Sequence, residues 1–217
     1  MKKQEIGIIG LGKFGMELGV SLMRNGHRVI GLDNDDTVVQ NAQDALSVVY
    51  KGDATDKTLL DQLRFQDMDC VALSVGSSMD TSIIAALNLH DLKVRNILAK
   101  AISRQHMEVL RRLGVHQVIQ PEADVARLTA MRLSNPGMLD FVDVDGGVLL
   151  QQASVSAWAG KTLTELSLTT EHQVMVVAIK KAGQSDFRFV PDPRIPMEKG
   201  DLLMMVGGKE AVLALKP

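Results

Sequence analysis

The sequence predicts an α/β chain: a parallel sheet with helices on both faces, followed by a small α+β lobe. Three observations predict it. Apolar runs and helix-periodic stretches alternate six times between residues 5 and 133, as strand–helix units of a parallel sheet do. The longest of these runs, residues 69–75, is almost continuously apolar, which suits a strand buried on both faces. After about Met138 the pattern changes to strands and tight turns.

The first strand covers residues 5–9 and ends in Gly10. Gly12 and Gly15 follow, which completes G-x-G-x-x-G. A helix over residues 13–25 carries Phe14, Leu18, Leu22 and Met23 on one face, and Asn25-Gly26 stops it. Residues 28–32 form a second strand with Asp33 at its end. Asp35 or Asp36 starts a helix that runs to about Asp44, and residues 47–50 form a third short strand. Gly52-Asp53-Ala54-Thr55-Asp56 is a loop, from which a helix runs to Leu63. Residues 69–75, 96–99 and 115–119 are the remaining strands. Helices over residues 78–92, 103–113 and 121–133 intervene or follow, and Asn135-Pro136-Gly137 punctuates. A domain boundary is expected there, with 1–136 as one domain and 137–217 as the other. In the second, strands are expected at 142–144, 148–155, 174–180, 187–190 and 202–206. Turns fall at Gly146-Gly147, Ala182-Gly183 and Lys199-Gly200-Asp201, and short helices near 162–166 and 209–215.

The glycine pattern has a physical reading in a nucleotide-binding, Rossmann-like sheet. Gly10 permits the tight turn off the strand, Gly12 lets a phosphate approach the backbone, and Gly15 lets the helix lie close on the sheet. The helix start presents unpaired N–H groups and a positive dipole end to an anion. Asp33 falls where a ribose-binding carboxylate belongs, about 20 residues on; the alternative is a solvated acid at a strand end. Asn34 follows with no arginine nearby, which disfavours a 2′-phosphate. Parallel sheets bind ligands beyond the carboxyl ends of their strands. Gly10 to Gly15, Asp33, Asp53, Ser74, Val75, Gly76 and Lys100 are therefore expected to converge on one crevice.

Composition narrows the class. The net charge of −2, with no basic run and only 3% aromatics, argues against nucleic-acid binding. Cys70, the single cysteine, reads as a small buried hydrophobe. Apolar runs such as residues 174–179 are strand-sized, so no direct membrane insertion is expected and a cytoplasmic placement is. His27, His90, His106, His116 and His172 show no ligand spacing.

Four stretches together resemble a known family over nearly the whole chain. They are Ile8-Ile9-Gly10-Leu11-Gly12-Lys13-Phe14-Gly15; Gly52-Asp53-Ala54-Thr55; Ile119-Gln120-Pro121-Glu122; and, in the small lobe, Ala159-Gly160-Lys161-Thr162-Leu163 with residues 174–180, Pro191 and 200–207. The chain resembles the cytoplasmic regulatory subunits of bacterial Trk/Ktr potassium-uptake systems, built from an RCK (regulator of K+ conductance) domain. The resemblance implies an adenine nucleotide, ATP/ADP or NAD(H), in the crevice. It implies homodimers assembling into an octameric ring at the inner face of the membrane, against a K+ channel or transporter subunit. Asp53 and Ala54 would lie beside the adenine; the alternative for Asp53 is a turn-forming role. Lys13 stands where many relatives place a phosphate-reaching arginine, and lysine keeps the charge without the planar two-pronged contact. Its alternative is a solvated lysine at a helix start. Glu122 would help hold a divalent cation across a dimer, or would simply face the dipole of its own helix. Lys100 would touch the nucleotide or cap a strand end.

The apolar helix over residues 78–92 is expected to pack one face on the sheet and the other on a neighbouring subunit. Two rival functions use the same fold. An NAD-dependent oxidoreductase needs a proton-transfer group near the nicotinamide, and the residues offer no such constellation, so no catalytic residue is assigned. A regulator of another cation transporter, such as a cation–proton antiporter, would look the same.

Overall fold

The computed structural model describes residues 2–76, 78–134, 138–144 and 146–217. The expected Asn135-Pro136-Gly137 turn, and the domain boundary placed on it, lie outside them. The chain divides into two compact units, Met1–Asp124 and Val125–Pro217.

In the first unit, strands β1 (Glu5–Ile9), β2 (Arg28–Asp33), β3 (Val48–Lys51), β4 (Cys70–Leu73), β5 (Ile97–Lys100) and β6 (Gln117–Ile119) pair in parallel in the order β3-β2-β1-β4-β5-β6. The order reverses between β1 and β4, which opens a crevice beyond their carboxyl ends. Neighbouring residues on each inner strand feed different cores. Ile8, Val29 and Ala72 enter one cluster, while Ile9, Ile30, Val71 and Leu73 enter another with Phe65 and Leu60. Both sheet faces are therefore covered, and this is why the strands read as unbroken apolar runs.

The helices are α1 (Lys13–Arg24), α2 (Asp36–Ala42), α3 (Lys57–Gln62), α4 (Met79–Asp91), α5 (Arg104–Arg112) and α6 (Pro121–Ser134). Four of them start on a side-chain cap. Asp35 accepts from the Thr37 and Val38 amides, Asp56 from Thr58 and Leu59, Ser78 from Thr81 and Ser103 from His106, each satisfying donors that a helix start leaves open. Helix α1 differs: Gly12 is its cap, with no side chain to offer. On α4, Ser82, Ala85, Ala86 and Leu89 are buried, whereas Met79, Ile84 and Leu87 are 40–44% exposed. One face of α4 thus packs inward and the other is open, not buried all round.

The second unit holds a five-stranded antiparallel sheet, ordered β10-β9-β11-β8-β7. Its strands are β7 (Met138–Val144), β8 (Val148–Ser154), β9 (Val174–Lys180), β10 (Arg188–Phe189) and β11 (Leu202–Gly208). Helices α7 (Leu163–Leu166) and α9 (Lys209–Ala214) match the sequence expectation; α8 (Leu168–His172) was not expected. A Thr162–Glu165 capping box starts α7, and Ser167 at φ +47° breaks it from α8. Leu168 then drops into the core beside Leu149, Trp158, Val174 and Met205. Asp201, expected as a turn residue, is fully buried. It accepts from Lys181 Nζ at 2.8 Å and from the amides of Glu198 and Ala182 at 2.9 and 3.0 Å.

Candidate nucleotide site

The carboxyl ends of β1, β2, β4 and β5 open into one cavity of about 400 Å³ in the first unit. Gly10, Gly12, Lys13 and Phe14 line it from the turn after β1. Asp33 and Asn34 line it from the end of β2, and Asp53 and Ala54 from the loop after β3. Ser74, Val75 and Gly76 enter from β4, Lys100 from β5, and Glu122 from the first turn of α6. Gly15 is the one sequence-predicted residue that does not reach the wall. Ile9, Leu32, Gly52 and Thr81 also line it. The first three adjoin predicted residues. Thr81 sits in the first turn of α4, the helix that follows β4.

The three glycines of the turn are required for different reasons. Gly10 has φ +87°, and a Cβ there would sit 2.9 Å from the Ser74 carbonyl; both conformation and space demand glycine. A Cβ on Gly15 would fall 2.0 Å from the Gly10 oxygen, so the close approach of α1 to the turn fixes that residue. Gly12 is unlike both. Its φ of −62° and ψ of −173° suit any residue, and a Cβ there would meet nothing within 4 Å. Among the described residues no neighbouring atom excludes a side chain at this position.

Electrostatics at the turn favour an anion. The first turn of α1 holds no acidic residue, as in α3 and α5, whereas α2, α4 and α6 each carry one or more. Lys13 stands exposed beside the dipole end of α1. Asp33 is half-buried rather than merely solvated. Its Oδ2 accepts from the Leu11 amide at 2.7 Å and its Oδ1 from the Asp35 amide at 3.0 Å. The carboxylate is thereby held in place, tying the glycine turn to the end of β2. Each oxygen keeps a further lone pair for a ribose hydroxyl. Asp53 forms the turn that its alternative reading proposed: the Thr55 amide and hydroxyl both bond Oδ1 at 2.8 Å, and these bonds, the amide's first, hold the carboxyl below its usual range.

Lys100 hydrogen-bonds Glu122 Oε1. That bond, then the backbone amide of Glu122 itself, lowers the Glu122 carboxyl below its ordinary value. The Lys100 ammonium also lies 6.0 Å from the centre of the Phe14 ring. No group of three or more His, Cys, Asp or Glu side chains disposed to hold a metal ion occurs among the described residues. Nor, among them, is any helix long and apolar enough to cross a membrane.

A strand order that reverses over a glycine turn, with an anion-favouring helix start and a fixed strand-end carboxylate, defines a nucleotide-binding sheet of the Rossmann type. The TrkA-N domain matches residues 6–121 and the TrkA-C domain residues 153–217, and the chain belongs to the TrkA-N family. It is 29% identical to Ktr system potassium uptake protein C of Bacillus subtilis over 206 residues, 94% of this chain and 92% of that protein. Ktr system potassium uptake protein A of Vibrio alginolyticus is 27% identical over 208 residues, 95% of this chain and 94% of that one. The structure of the GsuK channel bound to NAD matches 100% of this chain with a TM-score of 0.67 and 18% identity, which establishes a shared fold; this chain spans 40% of the GsuK chain. The AMP-bound Kef CTD of Shewanella denitrificans matches 60% of this chain and 81% of its own length, with a TM-score of 0.50 and 25% identity.

Proposed function

We propose that this chain is a nucleotide-sensing regulatory subunit of a membrane potassium-uptake system, placed on the cytoplasmic side through its membrane partner. The observation that carries the nucleotide part is Gly12: its open approach is explained by a ligand phosphate occupying the space, since no described residue fills it. In this reading the α1 amides and Lys13 hold the phosphates, Asp33 the ribose hydroxyls, and Asp53 with Ala54 the adenine edge. Ser74 to Gly76 and Lys100 complete the wall. ATP, ADP and NAD(H) share the adenosine phosphate that these groups address. The potassium part rests on the Ktr relatives, which match this chain across more than nine-tenths of both lengths.

Assembly is part of the proposal: homodimers forming an octameric ring, with the open face of α4 against a neighbouring copy, and a domain division at residues 136/137. Within one chain the described residues do not fit a divalent cation, because they hold no group of three or more His, Cys, Asp or Glu disposed for one and one carboxylate is no cation site. A shared cation would need a second chain and the nucleotide's own phosphates. The proposed role is non-catalytic. The cavity wall carries no histidine or tyrosine among the described residues, and the single tyrosine, Tyr50, lies elsewhere on the third strand. The Kef likeness keeps a second reading, regulation of another cation transporter, on the same site.

Two measurements test the proposal. Calorimetry of the purified chain should give micromolar or tighter binding of ATP, ADP or NADH. Capture of detergent-solubilised membranes on the tagged chain should then recover a potassium-transport subunit. Absence of nucleotide binding refutes the nucleotide reading, and recovery of an antiporter instead favours the second reading. Turnover of small alcohols or acids with NAD would refute the non-catalytic role.

A further inference from the structure

Lys100 and Glu122 form an unequal ion pair on the cavity wall. The lysine side chain is 14% exposed and the glutamate 70%. A cation this deeply placed needs a counter-charge, and Glu122 supplies it from the solvent side. A Cβ on Gly76 would lie 3.5 Å from Lys100 Nζ, and the Phe14 ring lies beyond. The ammonium thus sits among the β4 end, the glycine turn and the start of α6, facing the space over the first turn of α1. An ion pair with an exposed partner is weak and readily exchanged. A phosphate in the cavity offers oxygens that are already drawn out of water, and an ammonium interacts more strongly with a charge where solvent is excluded.

We infer that Lys100 exchanges partners: it holds Glu122 when no phosphate is present and turns to the nucleotide's phosphate chain when one binds, releasing Glu122 and the first turn of α6. The inference rests on the nucleotide reading above. It assigns Lys100 the counting of phosphates and makes Glu122 a competitor for the lysine. In EDTA, where no cation is available, removing the carboxylate strengthens ATP binding if Glu122 competes for the lysine and leaves it unchanged if the pair does not exchange. Helix α6 begins in the first unit and carries the chain onward, so its first turn is where the exchange would be read out.

The test is calorimetric titration of the full chain with adenosine, AMP, ADP and ATP in EDTA, for the wild type, Lys100→Met, Glu122→Gln and the double variant. Lys100→Met should weaken ATP at least tenfold, ADP and AMP progressively less, and adenosine less than twofold. Glu122→Gln should tighten ATP about threefold to tenfold, and this gain should vanish in the double variant. Hydrogen exchange at residues 122–124 should quicken with ATP and not with adenosine. If Lys100→Met also loses adenosine, its fold is damaged and Lys100→Gln replaces it. Wild-type protein that binds no nucleotide overturns the site reading itself. Binding that is intact but indifferent to both variants overturns the exchange alone.

Discussion

Gly12→Ala separates the ligand's demands from the fold's. At φ −62° and ψ −173° an alanine is unstrained, and its methyl would meet no atom within 4 Å. Replacing glycine where the backbone permits it stabilises by about 0.4–1 kcal/mol through the unfolded chain. Against this, alanine is a poorer helix cap than glycine, at a cost of about 0.5 kcal/mol or more. The two effects nearly cancel, so stability should move by about 0.5 kcal/mol or less, roughly 2 °C in Tm. Nucleotide binding should suffer far more, because the methyl stands where phosphate oxygens are proposed to approach. A loss of at least tenfold, about 1.4 kcal/mol, is expected for ATP, ADP and NADH alike. Gly15→Ala is the matched control. Its Cβ would meet the Gly10 oxygen at 2.0 Å, so it should cost several kcal/mol of stability, as overpacking against backbone does. Thermal melts and calorimetry on the same preparations measure both quantities. A Gly12→Ala protein that melts normally and binds ATP like the wild type would refute the phosphate seat over Gly12, and one that fails to fold would refute the claim that this glycine is free of structural duty.

Other predictions follow from named contacts. Asp33→Ala removes the acceptor for the Leu11 and Asp35 amides. It should cost about 1–3 kcal/mol in urea melts and erase any preference for adenosine over its 2′-deoxy analogue; a retained preference would clear Asp33 of ribose contact. Asp201→Ala leaves Lys181, among the described residues, with only its exposed ion-pair partner Glu198 and the Glu198 and Ala182 amides without their acceptor, and should cost about 1–3 kcal/mol, read as a lowered denaturant midpoint. Burial alone would push the Asp201 carboxyl up. The Lys181 ammonium and the amides of Glu198 and Ala182 more than offset this and hold it low. Its contribution is therefore complete above the unfolded value near 3.8 and lost as pH falls through the folded one, which acid melts of wild type and Asp201→Asn should separate. His106 is fully buried, its Nδ1 accepts from the Ile102 amide at 3.3 Å, and burial pushes its pKa down from 6.5. Stability linked to it should be complete above about pH 6.5 and fall as pH drops toward the lower folded value; an equally steep acid loss in His106→Gln would refute this.

Much of the site was legible because its constraints are local. Gly10 and Gly15 answer to their own turn, and a strand-end rule placed Asp33, Ser74 and Lys100 on one wall. What the sequence concealed depends on elements that meet only after folding. The Leu11 amide reaches Asp33 because β1 and β2 lie side by side in register. Lys100 meets Glu122 across 22 residues, an ion pair no spacing rule announces. Helix α8 escaped notice because five residues give little periodicity, and a core vacancy for Leu168 decides it. Asp201 follows Lys199-Gly200 and reads as a polar turn, yet three donors converge on it and draw it inside. Helix α4 reads as apolar all round, but alanines and Ser82 face the sheet and the larger Ile84 and Leu87 face outward.

A crystal structure of the full chain grown with ATP would show whether the glycine turn seats a nucleotide. Density is expected in the cavity of about 400 Å³, with phosphates over Gly12 and the first turn of α1 and ribose hydroxyls on Asp33. A cavity that stays empty at saturating ATP, or ATP bound at some other surface, would contradict that seat.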